Sequence, residues 1–365
     1  MRRTLLIMVL FALVAFAGDF ATGGAELTKF KGYGTFRETM FGQEGNPQGI
    51  EFKDYVWMAW IPKINDRLDL CIAAQNTTIG SATTFLDQLY LNMKLSDNFS
   101  IRGGQFKVPF GYGMTRSGGS MLFADRTLIV TGKPSGAVAG SDFGLYGGKD
   151  IGSMLTVKFA PVTVDLMLSN GTGNNTRADT TIDNQFTARL AVDPTDWLTI
   201  GGSLAMVGRP DYIVIEASGD TTEVEAWSSN GMDFFAVANY PVSSTGTLNF
   251  AGEYMMMGYP GNDVENVEHH DGARMSVMAG YDMQLEGDVI LAIQPAVRYD
   301  SVDPINSWAT SGDEPEDNYT AIDFCVGIEL FSKYNTIQIG SRTYGFENKD
   351  VDGYTDIYTK WRMNF

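Results

Sequence analysis

Apolar and polar residues alternate along most of the chain, in runs of about 9–13 residues separated by clusters of Gly, Asn, Asp and Pro. The run from Thr320 to Phe331 is the clearest. Its apolar parity holds Ile322, Phe324, Val326, Ile328 and Leu330, and its polar parity holds Asp323, Cys325, Gly327 and Glu329. A period of two indicates strands with one apolar and one polar face. Such long runs favour an all-β fold, a transmembrane antiparallel β-barrel, over a soluble sandwich, whose strands are usually shorter.

The runs predict sixteen strands, and an even number places both chain ends on the same rim of a bacterial barrel. The predicted strands are 27–38, 52–62, 66–78, 83–95, 98–108, 142–159, 162–170, 184–193, 196–208, 223–240, 245–257, 273–285, 288–301, 319–332, 335–347 and 354–365. Short connections alternate with long ones, as expected for periplasmic turns and outer loops. Asp87 falls on the apolar parity of its run, where a charge facing lipid is costly.

The first residues have the pattern of a secretory signal peptide. Arg2 and Arg3 precede an apolar stretch over 5–16, and Ala15-Phe16-Ala17 is a small-x-small cleavage site. We therefore expect residues 1–17 to be removed after export and 18–365 to form a single outer-membrane barrel domain.

Two cysteines, Cys71 and Cys325, both fall on the polar parity. Their predicted strands lie five apart around a closed barrel, which exceeds the roughly 7 Å between Cα atoms that a disulfide tolerates. We expect two free thiols.

The last run alternates up to a terminal aromatic residue. Trp361, Met363 and Phe365 share one parity, whereas Arg362 and Asn364 share the other. This pattern resembles the signal that the outer-membrane barrel assembly machinery recognises.

The formal net charge is −18, but the charges are unevenly distributed. The acidic excess lies mainly in the long connections, as solvated tips or as ligands for divalent cations that bridge to outer-membrane lipid and lipopolysaccharide. On the polar parity of the strands, basic residues outnumber acidic ones. The predicted pore-wall cations are Lys94, Lys158, Arg189, Arg274, Arg298, Arg342 and Arg362. They either pair with acids on neighbouring strands or contribute to anion selection.

The stretch from Asn98 to Gly140 is a basic, Gly-rich island. Its cations are Arg102, Lys107, Arg116, Arg126 and Lys133, with Asp125 as the acid among them. We interpret 109–141 as a loop that folds inward and charges a pore constriction with these five cations. The alternative is an ordinary surface loop.

The segment Arg102-Gly-Gly-Gln-Phe-Lys-Val-Pro-Phe110 resembles the phosphate-selective porin O and P family, in which a GQFK-x-PF segment leaves the fifth strand for the third loop. Shorter similarities are Phe123-Ala-Asp-Arg126, Asn170-Gly171 followed by Ala188-Arg189-Leu190 and Pro194, and Arg298-Tyr299-Asp300. The resemblance implies a sixteen-stranded homotrimeric porin whose third loop narrows the pore.

The chain departs from that family directly after the shared segment. Gly111-Tyr-Gly-Met114 stands where the family has a Ser and a nearby Glu, Asp125 replaces a Glu, and Thr127 replaces a Ser. The arginine ladder and lysine cluster of phosphate-specific members cannot be matched position by position, so phosphate selectivity is left open.

The sequence lacks a P-loop, a zinc-ligand cluster and a G-x-S-x-G motif, and its two histidines, His269 and His270, are adjacent in a loop. We therefore expect no enzyme, no cofactor, no metal site and no nucleic-acid partner. The expected function is passive diffusion of small hydrophilic solutes, with a preference for anions such as phosphate, across the outer membrane of a Gram-negative bacterium. The alternatives are a non-selective or cation-leaning porin, and a structural or adhesive barrel that presents its acidic loops.

Overall fold

A computed structural model of the chain describes residues 26–41, 55–76, 84–116, 121–123, 126–128, 148–171, 184–209, 212–215, 221–224, 227–259, 270–303, 318–331, 335–347 and 353–364. The predicted signal peptide, most of the acidic loop residues, Asp125, Lys133 and Phe365 lie outside these ranges.

The described residues are almost entirely β-strand. The strands are β1 (Glu26–Phe41), β2 (Tyr55–Asn65), β3 (Leu68–Asn76), β4 (Thr84–Lys94), β5 (Phe99–Lys107), β6 (Lys149–Phe159), β7 (Val162–Ser169), β8 (Asn184–Thr195), β9 (Leu198–Arg209), β10 (Tyr212–Ile215), β11 (Thr221–Val224), β12 (Trp227–Ser243), β13 (Gly246–Tyr259), β14 (His270–Gln284), β15 (Ile290–Asp303), β16 (Tyr319–Leu330), β17 (Asn335–Phe346) and β18 (Tyr354–Asn364). A short helix, α1 (Tyr112–Thr115), follows β5.

Within these ranges, sixteen of the strands form one closed antiparallel barrel, as the sequence predicts. Each strand pairs with its neighbour in the chain, except that β9 pairs with β12 across the hairpin β10–β11. The barrel closes through β1 and β18, where Phe36 lies opposite Trp361. Closure satisfies the backbone hydrogen bonds of every barrel strand, which a membrane crossing requires.

The alternation of residues places apolar side chains outside and polar ones inside. In β16, Ile322, Phe324 and Val326 are 43%, 58% and 41% exposed, whereas Asp323 and Cys325 are 1% and 3% exposed. The predicted parity of this strand is therefore confirmed. An outward apolar band of this kind is the surface that a barrel presents to lipid.

One rim carries the tight turns, including those at Asp66–Arg67, Ala160–Pro161 and Ser244–Thr245. Exposed aromatic side chains cluster next to these turns: Phe99 packs on Phe159, and Trp197 packs on Tyr240 with ring centroids 5.2 Å apart. Aromatic girdles mark the level of the membrane interface in such barrels.

The predicted lipid-facing parity of Asp87 is wrong. Ala73 lies opposite Gln88 and Ala74 lies opposite Leu86, so Asp87 is the extra residue of a β-bulge. The bulge reverses the parity locally, and Asp87 is 1% exposed on the lumen face while Leu86 is 39% exposed outside.

Several predicted strand boundaries also differ, and two of them concern the long connections. β6 begins at Lys149, after Gly148 with its φ of 92°, and the predicted strand residues 142–147 lie outside the described ranges. β12 begins at Trp227 rather than at 223, since Thr221–Val224, which includes the first two residues of the predicted strand, pairs with Tyr212–Ile215 in a separate hairpin.

Cys71 and Cys325 are buried free thiols, as predicted. No helix in the described part of the chain is long and apolar enough to cross a membrane.

Candidate functional site

The connection between β5 and β6 begins inside an apolar cluster. Phe110 and Val108 are 0% and 1% exposed. The buried members of the cluster are Phe106, Val108, Phe110, Met154, Met167, Ala205, Val207, Met255 and Met257, from β5, β6, β7, β9 and β13 and the connection itself. The connection therefore packs against lumen-facing side chains of strands on the far side of β6.

Two buried acids, Asp233 and Glu253, hold the turn at Gly111–Gly113 against the barrel wall through hydrogen bonds. The backbone N–H of Gly111 donates to Ser203 Oγ at 3.0 Å, and Ser203 Oγ donates to Asp233 Oδ2 at 3.1 Å. The N–H of Gly113 donates to both carboxylate oxygens of Glu253, at 3.1 and 3.0 Å. Gly111 and Gly113 belong to the segment that departs from the resembled family. Their backbone N–H groups thus donate the hydrogen bonds to the barrel wall.

At position 111 the structure also requires the absence of a side chain. Its φ is 74°, and an added Cβ would lie 2.9 Å from Met255 Cε and 3.1 Å from Glu253 Oε1. The left-handed backbone and the close approach to β13 both favour glycine at this position.

Helix α1 packs an aromatic ring onto β12. The ring of Tyr112 stacks on Phe235 with centroids 5.7 Å apart, and the guanidinium of Arg116 lies 5.8 Å from the Tyr112 ring. Burial raises the pKa of the Tyr112 phenol, and the nearby Arg116 charge opposes this effect. The phenol is therefore neutral at physiological pH.

A second part of the connection contacts the opposite wall. Gln338 Nε2 donates to the carbonyl oxygens of Met121 and Leu122 at 3.1 and 2.7 Å, and Arg362 Nη1 donates to the Met121 carbonyl. Phe123 packs with Cys325 and Tyr358 in a buried cluster. These contacts join residues 121–123 to β16, β17 and β18.

A third part continues this attachment. The N–H of Leu128 donates to Asp300 Oδ2 at 2.9 Å, and its side chain packs against Val302 and Tyr344. Arg298 and Arg342 donate to the carbonyl oxygen of Arg126 at 3.4 and 3.5 Å.

The predicted pore-wall arginines on β15 and β17 form an ion-pair network. Arg298, Asp323 and Arg342 lie opposite one another on three adjacent strands. Arg298 Nη2 is 2.8 Å from Asp323 Oδ2, and Arg342 Nη2 is 2.9 Å from Asp300 Oδ2. All four side chains are at most 3% exposed. Their charges are compensated within the wall, which favours a role in holding the connection.

The other predicted wall cations are distributed over the barrel. Arg189 lies 3.7 Å from Asp165 and stacks over Phe235, and Arg274 is 1% exposed. Lys94 pairs with Asp97 at a short turn, and Lys158 is exposed next to another turn. On β18, Trp361 points outward and Arg362 inward, as predicted.

Lys107 and Arg126 converge on one turn of the connection. Lys107 Nζ donates to the carbonyl oxygens of Met114 and Arg116 at 3.2 and 2.8 Å. Arg126 Nη1 donates to the carbonyls of Gly113 and Arg116 at 3.1 and 3.4 Å. Two of the predicted constriction cations therefore lie together, with Arg116 beside them.

Arg102 lies farther along the wall. Its guanidinium carbon is 4.5 Å from the ring centroid of Tyr90 and 5.4 Å from that of Phe106. Its Nε is buried without a hydrogen-bond partner among the described residues. Lys133, the fifth predicted cation, lies outside the described ranges.

Lys107 and Arg126 border a cavity of about 180 Å³ between the connection and strands β1 to β6. Among the described residues, the cavity is lined by four basic side chains, Lys31, Lys107, Arg126 and Lys149, and by one acid, Asp87. Lys149 Nζ contacts Asp87 Oδ1, and Trp57 Nε1 donates to Asp87 Oδ2 at 2.8 Å. Asp87 compensates the charge of Lys149, and the basic side chains that remain, Lys31 and Arg126 above all, leave the cavity electropositive.

Sequence reasoning missed Lys149 and Asp87 as site residues. The predicted strand 142–159 is too long to be regular, so its parity does not assign Lys149 to a face. A charge on the apolar parity of an otherwise regular strand is itself a signal of a bulge, and it would have moved Asp87 to the lumen.

The fold defines a class, the closed sixteen-stranded antiparallel β-barrels with an apolar outer band. No protein-family model and no curated protein matches the chain. Solved structures of that class do match, at identities that show the fold alone.

An anion-selective porin from Comamonas acidovorans has a TM-score of 0.60 and 11% identity, over 93% of this chain and 100% of that one. OmpT of Vibrio cholerae, described in a trimer form, has a TM-score of 0.56 and 11% identity over 94% and 100%. The outer-membrane channel DcaP of Acinetobacter baumannii has a TM-score of 0.56 and 11% identity over 94% and 98%.

Proposed function

We propose that the protein is an outer-membrane porin through which small hydrophilic anions diffuse passively. The observation that carries this proposal is the cavity with Lys31, Lys107, Arg126 and Lys149 around an already paired Asp87. Fixed positive charge in a narrow passage replaces part of the hydration that an anion loses on entry. Such charges act more strongly there than in bulk water, because protein walls lower the effective dielectric constant.

The connection between β5 and β6 forms the constriction in this proposal. Its three described parts contact lumen-facing residues of β9, β13 and β15 to β18, and these contacts support a segment that crosses the barrel interior. The predicted inward fold of 109–141 belongs to this proposal, and the passage runs beside β1 to β6. Arg102 and Arg116 add positive charge near it.

The resemblance to the phosphate-selective porin O and P family supports an anion preference, and the named anion selectivity of the Comamonas acidovorans porin agrees with it. Phosphate is one candidate solute. The trimer form described for OmpT supports a homotrimer for this chain as well. Export after removal of 1–17, insertion by the barrel assembly machinery and contact with lipopolysaccharide complete the proposal.

Planar-bilayer recording of the purified protein tests the function. We expect ohmic current steps and, in a potassium chloride gradient, a reversal potential of the sign that chloride permeation gives. The variant Lys31→Glu should move the reversal potential toward that of potassium. Lys63→Glu is the matched control, because Lys63 pairs with exposed Asp66 at a turn. A closed barrel without current steps would favour a structural or adhesive role, and a potassium reversal potential in the wild type would favour a cation-leaning porin.

A further inference from the structure

We propose that the passage binds anions with a planar aromatic ring in preference to aliphatic anions of the same charge and size. This inference rests on the proposed anion channel and specifies its solute class. The passage combines an aromatic wall with a cationic wall, and an aromatic carboxylate uses both.

The aromatic wall lies on β1, β2 and β4. Tyr33 and Trp57 are directly opposite in the β1–β2 register, with ring centroids 5.9 Å apart and planes inclined by 28°. Tyr90 on β4 lines the same cavity. Aromatic faces attract a further ring in offset or edge-to-face geometry beyond the effect of area burial.

The indole of Trp57 is held in place. Its Nε1 donates to Asp87 Oδ2 at 2.8 Å, one side of the ring system stacks on Tyr33, and the side chain is partly exposed. A fixed ring loses little conformational entropy when it binds a solute, so it is suited to recognition.

The cationic wall comes from different elements. Lys107 ends β5, Lys149 begins β6, and Arg126 belongs to the connection. Lys31 completes the set on the aromatic wall, where its Nζ lies 5.8 Å from the Trp57 ring centroid. A carboxylate can therefore reach a cation while its ring lies against Trp57.

The volume agrees with this class of solute. The cavity holds about 180 Å³, and roughly 150 Å³ is enough for benzene in an engineered protein cavity. An inorganic anion such as chloride or phosphate would use the cations and leave the aromatic wall without a role in recognition.

Block of the chloride current by benzoate and by cyclohexanecarboxylate tests the inference at pH 7, where both acids are ionised. We expect benzoate to reach half-block at about a fivefold lower concentration in the wild type, which corresponds to the ~1 kcal/mol of an aromatic pair. Equal half-block concentrations would overturn the inference while leaving the anion channel intact. A barrel that conducts no chloride would overturn the channel proposal itself.

Two substitutions of Trp57 separate the ring from its hydrogen bond. Trp57→Leu removes both and should bring the two half-block concentrations together. Trp57→Phe keeps a ring but cannot donate to Asp87, and it should retain most of the preference. Loss of the preference in Trp57→Phe, or its persistence in Trp57→Leu, contradicts recognition by the ring. Tyr33→Leu repeats the test on the other ring if Trp57→Leu does not assemble.

Discussion

Asp87 and Lys149 form an ion pair on the lumen face that reaches across β5, from the bulge of β4 to the first residue of β6. Within the pair, the carboxylate of Asp87 is almost completely buried, with 1% of the side chain exposed. Lys149 compensates the charge of this acid in a cavity that Lys31, Lys107 and Arg126 also line.

Lys149→Gln should make the channel less selective for anions. The substitution removes one positive charge and leaves Asp87 with hydrogen bonds from Trp57 and Gln88 but without its ion-pair partner. We expect the anion-to-cation permeability ratio from reversal potentials to fall about fivefold, as ~1 kcal/mol of altered charge interaction gives.

The double variant Asp87→Asn with Lys149→Gln tests whether the pair is responsible. Removing both charges should restore most of the wild-type ratio. Lys94→Gln serves as the control, because Lys94 pairs with the exposed Asp97 at a turn. A double variant no more anion-selective than Lys149→Gln would show that Asp87 does not act on permeating ions.

Arg126 should affect two separate properties, the anion selectivity and the conformational order of the connection between β5 and β6. Its Nη1 donates to the carbonyls of Gly113 and Arg116, so it joins two parts of the connection, and its side chain also lines the cavity. Arg126→Lys keeps the charge but loses the planar fork of donors. We expect an unchanged reversal potential with a broader distribution of single-channel conductance, whereas Arg126→Met should shift both. Identical behaviour of the two variants would mean that charge alone matters.

The strand pattern was predictable because alternation is a local property. Ile322, Phe324, Asp323 and Cys325 face the sides that their parity predicts, and so do Trp361 and Arg362. A strand with one apolar face must keep its register, since a shift by one residue would invert every side chain. Faces and approximate strand bounds therefore follow from the sequence.

The partners of the inward charges were not predictable in the same way. Parity places Arg298 and Arg342 in the lumen, but only the register shows that both lie opposite Asp323. Likewise, nothing local in the sequence joins Gly113 to Glu253, because their contact depends on how the connection crosses the barrel. The charge at Asp87 signals a bulge in the sequence, but the residues opposite the bulge follow only from the pairing of β3 with β4.

Glu253 should hold the start of the constriction against the wall. Its carboxylate accepts the Gly113 N–H, and loss of a buried acceptor costs about 1–3 kcal/mol. Glu253→Leu should therefore loosen α1 and expose Arg116 to trypsin in the detergent-solubilised protein, seen as faster cleavage after this residue. Glu253→Gln retains an acceptor oxygen and serves as the control. Equal cleavage rates in the wild type and Glu253→Leu would exclude this anchor.

Gly111→Ala should weaken the same attachment through the backbone. The residue has a φ of 74°, and its new Cβ would meet Met255 and Glu253 at 2.9 and 3.1 Å. A non-glycine residue in a left-handed conformation costs of the order of 1–3 kcal/mol. We expect trypsin cleavage after Arg116 to accelerate while the barrel itself keeps its heat-modifiable migration on gels. Gly103→Ala is the matched control, because a Cβ at Gly103 meets nothing within 4 Å and its backbone is not left-handed. If both variants resist trypsin equally, the turn at Gly111 does not require glycine and the attachment at Glu253 and Ser203 tolerates a shifted backbone.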